Sequence, residues 1–139
     1  EILIGLVGSE MCIRDSLYSV ALENTVKETE ILTMAEKLGA DFPGMDDMVI
    51  ITNKSGINGA ACIVDDHVTE YLEKKFGSEY VLLPNTIHEW LAMAYDPDGD
   101  YDGMVRDSNM SDAVGPDLVL SDHAYHIKDG EVVKREDIA

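Results

Sequence analysis

Basic residues are scarce in this chain. Ten lysines and arginines stand against 28 aspartates and glutamates in 139 residues, a formal net charge of −18. A domain that grips nucleic acid by neutralising phosphates needs the opposite balance, so no direct nucleic-acid binding is expected. An acidic surplus serves solubility first, and it also suits a basic protein surface or a mimic of nucleic-acid charge. Long apolar runs are missing as well. None approaches the eighteen or so residues that cross a bilayer, so no membrane partner is expected. Cysteine is limited to Cys12 and Cys62. Cys62 lies in the apolar run Ala60-Ala61-Cys62-Ile63-Val64 and reads as a small buried hydrophobe. Cys12 falls in the first sixteen residues, which read as foreign to the domain; Cys62 alone makes no internal disulfide, which fits a reducing, cytoplasmic compartment. There is no Gly-x-x-x-x-Gly-Lys-Ser/Thr phosphate loop and no Gly-x-Ser-x-Gly elbow. The His88-Glu89 pair has Ala92, not histidine, three residues on, so the helical zinc-protease motif is absent too. No cofactor and no metal follow from these patterns.

The first sixteen residues read as foreign to the domain. Met11-Cys12-Ile13-Arg14-Asp15 is the translation of ATG TGT ATA AGA GAC, and Leu6-Val7-Gly8-Ser9-Glu10 that of CTC GTG GGC TCG GAG. Both are stretches of a transposase-type sequencing adapter. On this reading residues 1–16 are an artefact, and 17–139 form a single, N-terminally truncated domain fragment. Glu1, Glu10 and Asp15 against Arg14 account for −2 of the charge, so the rest of the chain carries −16. The expectation is that Ile2, Ile4, Leu6 and Val7 build no core.

From Leu17 the apolar positions Leu17, Val20, Ala21, Ile31, Leu32, Ala35 and Leu38 recur at helical spacing. They predict a helix from Leu17 to Leu38, broken near Thr29 and stopped by Gly39. Met48–Thr52 is β-rich, and Asn53–Gly59 is a turn with two glycines and two asparagines. Ala60–Val64 is expected to pair back as a short strand. Asp65 or Asp66 caps a helix over His67–Phe76, ended by Gly77. Tyr80–Leu83 reads as a strand stopped by Pro84-Asn85, and His88–Tyr95 as the next. A short helix follows over Tyr101–Met110. Strands over His123–Ile127 and Glu131–Lys134 flank Asp129-Gly130, a strong hairpin signal. The fold class is therefore α+β, a mostly antiparallel sheet with two main helices, a short third helix and a C-terminal hairpin.

Three constellations invite chemistry. Asp98, Asp100 and Asp102 with Gly103 match the opening of a calcium loop, but its twelfth position is Asn109, where a bidentate glutamate belongs. An acidic surface turn accounts for it better, with weak calcium binding as the alternative. His88 and Glu89, adjacent on a strand, point to opposite faces and do not work as a base and its orienter. His88 is expected to bond into the Asn85 turn instead. His123 and His126 lack further ligands of suitable type nearby for a zinc site.

Thr52-Asn53-Lys54 through Gly56-Ile57-Asn58-Gly59-Ala60-Ala61, then Tyr80-Val81-Leu82-Leu83-Pro84-Asn85-Thr86-Ile87-His88-Glu89, then Val119-Leu120-Ser121-Asp122-His123-Ala124-Tyr125 form an ordered series. With Ala21-Leu22-Glu23-Asn24-Thr25 upstream, the series resembles the C-terminal half of the domain of unknown function 5688 family, found mainly in Clostridia and related gut Firmicutes. The resemblance covers Leu17–Ile127 and implies that a substantial N-terminal portion lies outside this chain. It brings no established activity and no assigned catalytic residues. Val26-Lys27-Glu28-Thr29-Glu30 stands where the family usually carries prolines, and Asn85-Thr86 replaces a frequent serine, which weakens any serine nucleophile there.

The preferred expectation is an accessory domain without catalysis that binds a protein partner through Asn53, Asn58, Asn85, His88, Glu89 and His123, on loops mounted on a sheet. Two rivals stand beside it. One is a hydrolase-like site built on His88 and His123, and the other an acidic decoy for a basic nucleic-acid-binding protein.

Overall fold

A computed structural model of the chain describes residues 2–40 and 42–135, with side chains from Cys12 onward. The side chains of Ile2, Ile4, Leu6 and Val7, and with them the expectation that they build no core, lie outside the described residues. Helix α1 (Ile2–Glu28) opens the chain. It is a helix, as expected from Leu17 onward, but Ile13, Leu17, Tyr18 and Val20 are all exposed and add nothing to the core.

The chain then enters strand β1 (Thr29–Thr33), not a continuing helix. Ile31 and Leu32 pair with Ile51 and Ile50 of β2 (Met48–Asn53). The break near Thr29 is where it was expected, but the next five residues are strand. Thr33 ends β1 and caps the short helix α2 (Met34–Leu38) with a reciprocal capping box, Thr33 side chain to Glu36 backbone and Glu36 side chain to Thr33 backbone. Gly39 closes α2 in the left-handed conformation, φ 61°.

After β2, Gly59–Val64 forms a 3₁₀ turn and not the expected strand. Its partner edge on β2 is already taken by β1 on one side and β4 on the other. Helix α3 (Asp66–Phe76) follows, capped by Asp65 through the His67 amide, and buries Val68 and Leu72. It carries the chain to β3 (Glu79–Thr86), which turns sharply into β4 (Glu89–Ala94). Pro84 does not stop β3. It is buried within it and pairs with Trp90, beyond the stretch where β5 lies alongside. A missing N–H there leaves no ladder bond unmade. Helix α4 (Tyr101–Asn109), β5 (Tyr125–Lys128) and β6 (Glu131–Val132) complete the order. The Asp129-Gly130 turn has φ 52° and 80°, the backbone of a tight hairpin.

The sheet is antiparallel throughout, in the order β1-β2-β4-β3-β5-β6. Alternation along the strands divides the core in two. Val49, Ile51, Tyr80, Leu82, Ala92 and Ile127 pack under Cys62, Val68 and Leu72 on one face. Val81 and Leu83, with Leu91 and Met93, meet Val105 of α4 and Ala124 on the other. The α+β class is as read from the sequence. Among the described residues no helix is long and apolar enough to cross a membrane.

Candidate functional site

The loop after β2 is braced by its own side chains. The Asn53 carboxamide donates to the Ile57 carbonyl at 2.8 Å and accepts from the Ser55 hydroxyl at 3.1 Å, while the Ile57 amide donates to Ser55 Oγ. Ile57 is left 62% exposed at the tip. The loop then docks onto the β3–β4 turn. The Asn58 amide donates to His88 Nδ1 at 2.9 Å, the Ala60 amide to the Ile87 carbonyl at 3.2 Å, and the Thr52 hydroxyl to the His88 carbonyl at 2.8 Å. Trp90 Nε1–H closes the junction on the Ala60 carbonyl at 2.9 Å. Since His88 Nδ1 accepts, the neutral ring carries its proton on Nε2. Asn58 sits at φ 56°, a left-handed conformation that asparagine tolerates, and Gly59 is walled in by Thr52, Asn53 and His88.

Beside this junction the last turns of α1 close over a cleft of about 220 Å³, lined by Asn24, Thr25, Glu28, Asn53, Asn58, Ala61 and Cys62. Two segments that carry the family resemblance, Asn24-Thr25 and Asn53 to Ala61, thus meet in one place, against the His88 turn of a third. The Asn24 and Asn58 carboxamides and the Glu28 carboxylate have no hydrogen-bond partner among the described residues. Cys62, at the floor, is buried, and burial pushes its thiol up, against the Thr29 hydroxyl and with the charges of Asp65 and Glu28. It is a poor nucleophile. Asp65 is buried too. Burial raises its carboxyl, but the His67 amide and ring and the Thr29 hydroxyl outweigh that and hold it low.

Asn85 and Glu89 belong to a different polar chain. Asn85 Nδ2 donates to Glu89 Oε1 at 2.6 Å, the Ser108 hydroxyl of α4 donates to Asn85 Oδ1 at 3.1 Å, and Lys37 of α2 pairs with the other Glu89 oxygen. Their strand positions match those of Leu83 and Leu91, on the α4 side of the sheet. His88 and Glu89 therefore serve different partners. His88 does not bond into the Asn85 turn by its ring; only its backbone amide does so locally, to Thr86 Oγ1 at 3.0 Å.

His123 lies apart from both groups, in a cleft of about 290 Å³ with Ala124 to His126 and Val132 to Arg135, which His88 does not line. Ser121 Oγ at 3.3 Å and Asp122 Oδ1 at 3.1 Å both approach its Nδ1. A serine relay needs the nucleophile and the orienting acid on opposite ring nitrogens, so this trio cannot relay a proton. Its bond to His123 holds the Asp122 carboxyl below the usual range. On the same side His126, which sequence reasoning passed over as a site, stacks on Tyr95 with centroids 3.9 Å apart and meets Glu79 at 2.8 Å. Strand alternation holds the signal, because Val81 opposes His126 and Glu79 is the next residue on that face of β3.

The acidic loop is put to local use. Asp100 caps α4 through the Gly103 amide at 3.0 Å, and Asp102 accepts from the Ala124 amide at 2.8 Å and pairs with Arg135 at 2.6 Å. The Asp98 amide donates to Asp96. Among the described residues no three His, Cys, Asp or Glu side chains are grouped to hold a metal.

Of the six candidate residues, then, Asn53, Asn58 and His88 converge, Asn85 and Glu89 pair with each other, and His123 stands alone. Sequence reasoning does not single out Asn24, Thr25 and Glu28 as site residues, although Asn24-Thr25 belongs to the segment Ala21–Thr25 that carries part of the family resemblance. No curated protein and no solved structure matches this chain. A family model described as a family of unknown function (DUF5688) matches residues 10–128, and the chain belongs to that family.

Proposed function

We propose that this chain is an accessory domain without catalysis of its own, which docks a polypeptide partner in the cytoplasm at the corner formed by Asn53–Gly59 and the His88 turn. The observation that carries this reading is the braced loop, which holds Ile57 62% exposed beside a cleft with two unpartnered carboxamides. Covering such a side chain contributes roughly 2 kcal/mol. A loop already fixed by its own hydrogen bonds loses little further freedom on binding. Carboxamides donate and accept together, which suits a peptide backbone.

A displayed random-peptide library selected on the immobilised chain tests the reading. Enriched peptides are expected to bind the parent and Val132→Asp, on the opposite edge strand, but not Ile57→Asp. Peptides indifferent to Ile57→Asp, or no enrichment at all, would overturn it.

A further inference from the structure

We infer that the cleft between the end of α1 and the Asn53–Gly59 loop is a subsite for one cationic side chain, a lysine or arginine of the docked partner, with Glu28 as its counter-ion. The inference deepens the docking reading above and rests on it. The lining supplies one carboxylate, three carboxamides, of which that of Asn53 is engaged within its own loop, and the Thr25 position, and no lysine or arginine. At about 220 Å³ the cleft is smaller than the 300–1,000 Å³ or so of a typical small-molecule site. It suits the end of one long side chain.

The electrostatics favour a cation. Glu28 is the last residue of α1, where the helix dipole already presents negative charge and an acid is misplaced. Asp65 adds to the field, since its charge and that of Glu28 both act on the Cys62 thiol at the cleft floor. The neighbouring cations are engaged. Lys27 pairs with Glu23 at 2.7 Å, and the Lys54 ammonium donates to the Lys27 carbonyl at 3.0 Å. Glu28 keeps its backbone carbonyl on the Lys54 amide at 2.9 Å but has no partner for its carboxylate among the described residues. The net charge of −18 draws a basic partner to the surface in the first place.

The test is an NMR titration of the isotope-labelled full chain with Nα-acetyl-lysine methylamide and Nα-acetyl-arginine methylamide. The Nε-acetylated lysine analogue serves as the uncharged control. Shifts are expected at the amides of Asn24, Thr25, Glu28, Asn58 and Ala61, with a dissociation constant on the order of 1 mM. The control should leave them unmoved, and Glu28→Gln should weaken binding about tenfold. A stronger response to the arginine probe identifies a planar fork as the preferred group, and a stronger response to lysine a point charge. No localised shift, equal binding of the acetylated control, or unchanged binding by Glu28→Gln would overturn the inference. Val132→Asp, on the far edge strand β6, should leave the titration intact. If cations bind but selected peptides ignore Ile57, only the docking reading fails; if peptides need Ile57 but no cation binds, only the subsite fails.

Discussion

Gly59→Ala puts the docked corner under the most direct stress. A Cβ at Gly59 would stand 2.4 Å from Thr52 Oγ1, 2.5 Å from the His88 carbonyl oxygen and 2.6 Å from the Asn53 nitrogen. Non-bonded atoms rest near 3.5 Å, so the loop must withdraw by about 1 Å. Two of the three contacts are backbone and cannot swing aside. Withdrawal would stretch the Ala60-to-Ile87 bond, now 3.2 Å, and the Asn58-to-His88 bond, now 2.9 Å, out of hydrogen-bonding range. Overpacking costs about 1–3 kcal/mol and each lost bond about 1 kcal/mol more. A total loss of about 3 kcal/mol is a large share of the roughly 5–15 kcal/mol that holds a domain together. Urea unfolding followed by Trp90 fluorescence is the assay, since Trp90 is the only tryptophan and bonds the same loop. With a slope of about 2 kcal/mol per molar, the midpoint should fall by about 1.5 M. Gly56→Ala is the comparison. It has φ 69° and nothing within 4 Å of its would-be Cβ, so it should cost only about 1 kcal/mol. Equal midpoints for the two variants would refute the packing of the loop against the β3–β4 turn.

Three further outcomes are expected. Asp65→Ala should destabilise the chain by about 1–2 kcal/mol through loss of the α3 cap, measured by urea unfolding at pH 6. The Asp65 carboxyl is held low and the exposed His67 ring is raised by its bond to Asp65. The carboxylate's contribution should therefore fade as pH falls below about 4, and the imidazolium's as pH rises above about 6.5; a penalty unchanged from pH 3 to 8 would contradict the pairing. Iodoacetamide should modify the exposed Cys12 quickly and Cys62 only after unfolding, as read by peptide mass spectrometry; equal rates would contradict the burial of Cys62. Asp100→Ala should cost about 1 kcal/mol through the α4 cap, and millimolar calcium should leave the melting temperature of the parent unchanged; a calcium-dependent rise would restore the calcium loop.

Local chemistry was legible in the sequence where it sufficed to decide the structure. An aspartate cap for α3 at Asp65 or Asp66 and a tight hairpin at Asp129-Gly130 follow from local rules, and the structure has both, with Asp65 as the cap. The strand β1 was not legible by spacing, because Ile31, Leu32, Ala35 and Leu38 also match a helical stripe. What decides it is the free edge of β2, a tertiary fact, although the capping-box pair Thr33 and Glu36 did mark a helix start inside the supposed helix. The apolar run Ala60–Val64 suggests a strand, but both edges of β2 are occupied and the segment coils over the sheet. Half of the site was legible for a similar reason. The turn residues Asn53 and Asn58 and the corner residue His88 announce loops, whereas Glu28 joins them only because α1 ends above the cleft. Proximity in sequence suggests that Asn85 and Glu89 share the surface of His88, but strand alternation sends them to the other side.

Hydrogen exchange of the full chain, with and without a peptide selected on it, tests the docking corner most directly. Amides of Asn53–Ala61 and of Ile87 and His88 should gain protection on binding, with little change at His123–Arg135. Protection confined to the His123 cleft, with the Asn53–Gly59 loop unchanged, would contradict the account.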